Sequence, residues 1–369
     1  LPNKINFIFL YPKKEKKLIL ICCDIVWFST DFCNNLKIII SQKYNTSLEN
    51  IVFSASHTHG TLNTDDDFKY GKCSDSFNKY LVGITKKVVK NAHENQKYDV
   101  YCQILSKEIN DVSVNRRKIA PTNIQRIIKG KLSFYSQNFP NYKKQKDNRL
   151  VIINFLNKEN DKILAIFLKF TCHPISDPTN CIGSDYPGYL KEYISNHLNN
   201  QPMVFFMQGF AGDVRPNLIY KPKSIKDYMI KLFLGNRFRE AKKNDSKELA
   251  RKIYIQVKDL FEKQNIKLEI NHIKSKSEDI DIGLEKGLYH NKKLNITVWN
   301  FKIFKLLFLS GEILSGYALK WDENKKIIGI GYSNGMTCYI PTSKDLNNGG
   351  YEVNKSREKF NVKERIDIN

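Results

Sequence analysis

The chain of 369 residues has only eight cysteines, too few over this length for a disulfide scaffold. No CxxC pair occurs, which argues against thiolate zinc sites and thioredoxin-type redox chemistry. Cys22, Cys23, Cys102 and Cys172 fall inside strand-like apolar runs, where a buried thiol is the ordinary reading. Long hydrophobic runs are also missing: Lys302 and Lys305 interrupt even Phe301 to Leu309, so nothing approaches the ~20 apolar residues of a membrane span. There is no initiator Met, charged leader or small-residue cleavage site, so no signal peptide is visible and compartment cannot be read. Acidic residues are scarce, 38 against 60 Lys and Arg, for a net charge of +22. The excess is mostly lysine spread along the whole chain, a compositional bias that does not form a nucleic-acid recognition patch.

What remains is a globular protein, 41% apolar, long enough to bury a sizeable core, without internal repeats or low-complexity linkers. Runs of strand length cover Lys17 to Cys23, Asn50 to Ser56, Val100 to Leu105, Val151 to Leu156, Ile163 to Thr171, Met203 to Gln208, Phe301 to Leu309 and Lys326 to Tyr332. Helical periodicity covers Phe28 to Tyr44, Asp75 to Asn95, Pro187 to Asn199, Ser224 to Gln264 with a break near Gly235, and Ser315 to Asp322. The interleaving predicts an α/β fold: mixed sheets with flanking helices and an active site in loops at strand ends. Polar loops at Ser56 to Asp67, His173 to Gly188, Gly209 to Asn217 and Asn334 to Glu352 each follow a predicted strand and are expected to converge.

Those loops hold the chemistry. In Ser54-Ala-Ser-His-Thr-His-Gly60 an extended backbone would turn His57 and His59 to one side, as two metal ligands, as a ligand with an acid/base neighbour, or as paired structural histidines. His173, in Thr171-Cys-His-Pro174, ends another strand as a hydrogen-bonded core residue or as a third ligand. Glu312, in Ser310-Gly-Glu-Ile313, is either an exposed loop carboxylate or a buried one that needs a partner or a metal. Tyr339 and Tyr351 offer phenols for metal binding or for an oxyanion. Gln208-Gly-Phe-Ala-Gly-Asp-Val-Arg-Pro-Asn217 has neither GxGxxG nor GK[ST], and reads as a tight turn bringing backbone amides near a reacting centre.

The ordered series SASHTHG, VNRR, TCHP, SDYPGY, QGFAGDVRPN, SGE, YIPT and GGYE, from about Ile19 to Glu352, resembles the catalytic domain of the neutral/alkaline, non-lysosomal ceramidases and their bacterial relatives. The resemblance implies a zinc amidase that cleaves the N-acyl bond of ceramide to a sphingoid base and a fatty acid. It makes His57, His173, Glu312 and Tyr339 the Zn2+ ligands. It puts His59 and Arg116 in the pocket and makes Tyr351 the phenol that polarises the carbonyl. Asp213 and Arg215, in the GDVRPN loop, are separately expected to contact the substrate. It further implies a lipid-like small-molecule substrate and a secreted or membrane-peripheral location.

Three departures qualify the substrate. Arg215 stands where the ceramidase loop usually has serine, the glycine-containing segment expected before the first strand is unrecognisable, and the chain stops soon after GGYE, without the immunoglobulin-like domain of longer ceramidases. Residues 1–369 are therefore expected to form a single catalytic domain. A zinc hydrolase for a more polar amide or ester, and a non-catalytic lipid-binding relative, stay open as alternatives. Directly after GDVRPN, Ile225, Tyr228, Met229, Leu232 and Phe233 recur at helical spacing among lysines. Such a helix ordinarily packs its apolar face on a sheet; peripheral contact with an anionic membrane is the other reading. The oligomeric state is not legible.

Overall fold

The computed structural model describes residues 1–62, 64, 75–91, 97–121, 134–178, 182–263, 266–282, 293–321 and 326–360. Its largest sheet has the order Leu268–Glu269, Val100–Glu108, Arg149–Asn157, Ile163–Phe170, Met203–Gln208, antiparallel except for the last pair. Facing it are a three-stranded sheet, Ile5–Leu10, Leu18–Cys23 and Ile51–Ala55, and a four-stranded one, Lys274–Asp281, Lys293–Asn300, Lys305–Leu309 and Ile327–Ile330. Two small sheets join Val214–Pro216 to Ser113–Pro121 and Phe134–Asn141, and Glu312–Ile313 to Tyr339–Ile340.

Side-chain alternation explains the layering. Leu18, Leu20 and Cys22 enter a central core with Ile153, Phe155, Phe167, Phe205, Trp299 and Phe308, while Ile19, Ile21 and Cys23 face the other way, onto the helix Thr30–Tyr44. The largest sheet repeats the pattern: Ile152, Ile166, Leu168 and Phe206 pack against helices Asp185–His197 and Asp245–Val257. Strands covered on both faces must be apolar at every position, and the run Leu18–Cys23 is buried throughout for that reason. The result is helices, sheets, sheet and helices in four layers, an α/β fold with flanking helices. Thr30–Tyr44 is closed by Ser29, whose side chain accepts from the Phe32 N–H, and by Asn45 in the left-handed region at φ 46°.

The elements expected from the sequence are present, with instructive differences. Phe301 to Leu309 is not one strand: Phe301–Phe304 is a turn with Lys302 at φ 68°, closed by the Phe301 N–H to Phe304 carbonyl bond, and the strand is Lys305–Leu309. The stretch Ser224 to Gln264 divides into Ile225–Leu234 and Asp245–Val257, with non-helical chain between. Residues 92–95, 264 and 322 of the expected helices lie outside the described residues, as do 63, 65–67 and 179–181 of the expected loops. The six described cysteines, Cys22, Cys23, Cys33, Cys102, Cys172 and Cys338, are free and buried. No helix among the described residues is long and apolar enough to cross a membrane.

Three parallel pairs set the position of the site: Leu18–Cys23 with Ile51–Ala55, Ile163–Phe170 with Met203–Gln208, and Lys305–Leu309 with Ile327–Ile330. The chain leaving their carboxyl ends is knitted by backbone bonds, Ala55 N–H to Tyr332 O at 3.0 Å, Gly331 N–H to Gln208 O at 2.9 Å and Gly212 N–H to Ile313 O at 2.9 Å. The expected convergence of polar loops at strand ends is therefore observed.

Candidate metal centre

His57 and His59 do meet, though not through strand alternation. The ladder ends at Ala55, and His57 takes φ 63°, a left-handed conformation uncommon for a side chain of this size. Tyr332 and Asn334, leaving the facing sheet, share that conformation at φ 53° and 58°. The Tyr332 ring stacks on His57 with centroids 3.9 Å apart.

Each buried imidazole is fixed by its Nδ1: that of His57 lies 2.8 Å from the Val26 carbonyl and that of His173 lies 3.1 Å from the Ala211 carbonyl. A carbonyl only accepts, so both Nδ1 atoms carry the proton and both neutral rings present a lone pair at Nε2. Those two Nε2 atoms are 3.0 Å apart. Glu312 Oε2 is 3.5 Å from one and 3.7 Å from the other. The Glu312 carboxylate is buried, and no hydrogen-bond donor among the described residues reaches its Oε2. The Tyr332 hydroxyl lies beside it, outside hydrogen-bonding geometry. Three electron-pair donors thus face one another with no cationic group of the described residues between them, an arrangement that a divalent cation would satisfy.

The ligand atoms of His57, His59 and His173 lie within 4.8 Å of one another, so geometry alone would also admit His59 as third ligand. His59 is exposed and water can satisfy it, whereas the orphaned oxygen of Glu312 carries a burial cost of ~1–3 kcal/mol or more. The donor set His57, His173 and Glu312 is therefore the better fit to zinc. Although solvent reaches the His59 ring, its surroundings are crowded; desolvation, and then His57, Arg116 and Lys359, hold its pKa well below the usual histidine range. Desolvation, then His57 and Arg116, do the same to His173 and keep it neutral.

Tyr339 is register partner to Glu312 in the parallel pair Glu312–Ile313 and Tyr339–Ile340. Its phenol is pushed well up, first by burial and then by the Glu312 carboxylate, and it accepts a 3.1 Å bond from Arg116 Nη2. Arg116 also donates to the Gly212 carbonyl at 2.7 Å and, through Nε, to Glu352 at 2.7 Å. Burial works against its charge, but Tyr339, Glu352 and Glu312 outweigh that and hold it firmly protonated. The guanidinium lies 5.6 Å from the Tyr351 ring centroid, and Tyr339 and Tyr351 meet edge to face at 5.8 Å. Gly212 is required at its place: a Cβ there would stand 2.8 Å from the Glu312 carbonyl.

Seven of the nine residues singled out from the sequence thus come together: His57, His59, His173, Glu312, Tyr339, Arg116 and Tyr351. Asp213 has a different part. Fully buried, its carboxylate takes the Ser315 N–H at 2.7 Å, Asn115 Nδ2 at 2.7 Å and Lys144 Nζ at 3.2 Å, so its oxygens are committed to the interior and unavailable to a substrate. Burial opposes ionisation, but Lys144 and the Ser315 bonds hold its pKa below the ordinary value. Arg215 is half-buried, with its guanidinium 4.2 Å from the Phe238 ring centroid. Burial, then Arg116, lower its pKa to about 10, which leaves it charged at neutral pH.

Sequence reasoning passed over Glu352 and Arg117. Arg117 pairs with Glu352 and, through Nε, with Asp345 at 3.2 Å, so one carboxylate holds two adjacent buried arginines. The consecutive arginines of VNRR and the acid of GGYE were the available signal.

Two solved structures with a similar architecture are ceramidases. The neutral ceramidase from Pseudomonas aeruginosa superposes with a TM-score of 0.68 over 92% of this chain and 63% of its own, at 14% identity. A ceramidase structure described as complexed with C2 gives 0.67 over 91% and 64%, also at 14% identity. The chain has a neutral ceramidase-like fold. It spans less than two thirds of the length of either of these ceramidases. No family model matches the sequence, and no curated protein matches it significantly.

Proposed function

We propose that this chain is a zinc-dependent hydrolase that cleaves the N-acyl amide of ceramide or a related acylated lipid, with residues 1–369 as one catalytic domain. The observation that carries the reading is the meeting of the His57 and His173 Nε2 lone pairs with the unpartnered Glu312 oxygen. The ceramidase-like fold supports the substrate class, and the eight ordered motifs support it independently.

His57, His173 and Glu312 would hold the zinc, with Tyr339 as the fourth ligand. When bound, zinc supplies Lewis acidity toward a carbonyl and toward water. The remaining work falls to the chain. Val26 and Ala211 carbonyls keep both ligand imidazoles in the tautomer that frees Nε2. His59, neutral and solvent-accessible beside them, can take a proton from water and return it to the leaving amine. Arg116, held by Glu352 and Gly212, is a fixed cation next to Tyr339 and Tyr351, suited to stabilising negative charge on the amide oxygen.

The test is incubation of zinc-loaded protein with a short-chain fluorescent ceramide, a long-chain ceramide and a panel of small amides and esters. Release of sphingoid base that disappears in His59→Ala and Arg116→Ala supports the reading. Turnover of small polar amides alone would move the protein to another amidase class. Ceramide binding without turnover would make it a lipid-binding relative.

A further inference from the structure

Segment 218–239 leaves the site loop as an excursion with its own stem. The Tyr220 N–H bonds to the Arg237 carbonyl at 2.9 Å, the Arg239 N–H to the Leu218 carbonyl at 3.0 Å, and Ile219 bridges Phe238. This ribbon follows Val214–Pro216, whose Val214 carbonyl takes the His173 N–H at 3.0 Å. Its returning strand places Phe238 against Arg215. The tip is the helix Ile225–Leu234.

The helix is braced from one side. Asp227, its only acid, takes bonds from Ser224 Oγ at 3.0 Å, Tyr220 Oη at 3.0 Å and Arg237 Nη2 at 2.9 Å. On the other side the usual packing is reversed. Ile225, Tyr228, Met229, Leu232 and Phe233 are 85%, 61%, 49%, 77% and 76% exposed, and their spacing of i, i+3, i+4, i+7 and i+8 makes them one continuous face. The ordinary expectation that this face packs on a sheet does not hold. By the same periodicity Lys226 and Lys231, both exposed, border it on either flank.

We propose that Ile225–Leu234 docks on an anionic lipid bilayer, sinking its apolar face to the acyl boundary while the flanking lysines reach anionic headgroups. Charge selects the occupant. A second copy would set the same lysines against each other on chains of net charge +22. A bilayer offers negative charge on both sides of an inserted face, which suits two lysines whose aliphatic stems can extend outward along it. The proposal rests on the exposed face, not on the hydrolase reading, and stands or falls separately from it.

The experiment is flotation of the full chain at low salt with phosphatidylcholine vesicles, and with the same vesicles containing ~30% phosphatidylserine. Wild type is expected to float with the anionic vesicles and largely stay behind with the neutral ones. Leu232→Ser/Phe233→Ser should reduce partitioning at least ~10-fold, and Lys226→Gln/Lys231→Gln by about fivefold per lysine. All four side chains are exposed, so unchanged circular dichroism and melting temperature should accompany the loss. Equal recovery on both vesicle types, undiminished binding of the serine double variant, or a vesicle-free dimer that this variant dissociates would each overturn the proposal.

Discussion

His57 and His173 face each other through Nε2 at 3.0 Å while a backbone carbonyl holds the proton on each Nδ1. Two acceptors at hydrogen-bond distance repel unless a proton or a metal lies between them, and the burial that holds His173 neutral disfavours the proton. Purified protein is therefore expected to bind about one equivalent of zinc. Chelation should lower the melting temperature, since a ligand at 100 times its Kd adds ~2.7 kcal/mol to stability. His57→Ala and His173→Ala should abolish the chelator effect and the metal content together. Metal content unchanged in both variants would sink the assignment.

Glu352 holds two arginines at once, and neither Arg116 nor Arg117 has water to turn to. Removing the shared carboxylate leaves two buried cations short of a partner. Glu352→Ala is expected to cost ~3–5 kcal/mol in denaturant unfolding, the range for breaking a buried pair from one side. A loss near zero would mean that Asp345 and the nearby backbone carbonyls suffice without Glu352.

The ease with which parts of this fold read from sequence tracks how locally they are encoded. Leu18–Cys23 is apolar throughout and Met203–Gln208 from Met203 to Met207, because both faces of their buried stretches are covered, and such runs announce themselves. Lys274–Asp281 is mostly exposed and polar at most positions, so it offers no apolar period, and its pairing with Lys293–Asn300 is visible only in three dimensions. The same holds in the site. Histidines that end strands stand out, but Glu352 meets Arg117 across 235 residues of chain, and no local pattern couples them. Asp213, expected against substrate from its place in the GDVRPN loop, turns its carboxylate inward, to Asn115, Ser315 and Lys144.

A buried ion pair away from the site gives a pH prediction. Burial raises the pKa of Asp147, but Lys169 and Arg149 more than reverse this and hold it at about 2. Because the folded value is below the unfolded one near ~3.9, the contribution is fully present above that pH and is lost as pH falls toward about 2. The amount is ~2 kcal/mol by linkage. Wild type should lose stability between pH 5 and pH 2 by about that much more than Asp147→Asn, which has no carboxylate to titrate. Equal pH slopes in urea unfolding of the two proteins would refute it.

On the proposed hydrolase reading, Arg215 is expected to set which substrate the centre serves. Arginine cannot form an acyl intermediate, so if a covalent serine were obligatory at this place the native chain would be inert. Metal-assisted hydrolysis needs no such residue, and the donors proposed for it stand close together, His57, His173 and Glu312 facing one another and Tyr339 in register with Glu312. Native protein is therefore expected to hydrolyse amides. Arg215 remains charged at neutral pH and its strand pairs with the one that carries Arg116, so a second cation reaching the pocket from that side is expected to favour substrates carrying a carboxylate or phosphate. Arg215→Ala is expected to lower kcat/KM for anionic amides about tenfold or more, the worth of one charged hydrogen bond, and to change neutral ceramide by less than ~3-fold. Loss of the contact with Phe238 adds only ~0.5–1 kcal/mol of instability, so the melting temperature separates a fold defect from a substrate effect. Activity appearing only in Arg215→Ser, with native protein inert across the panel, would show that the serine was essential and that the native chain binds without cleaving.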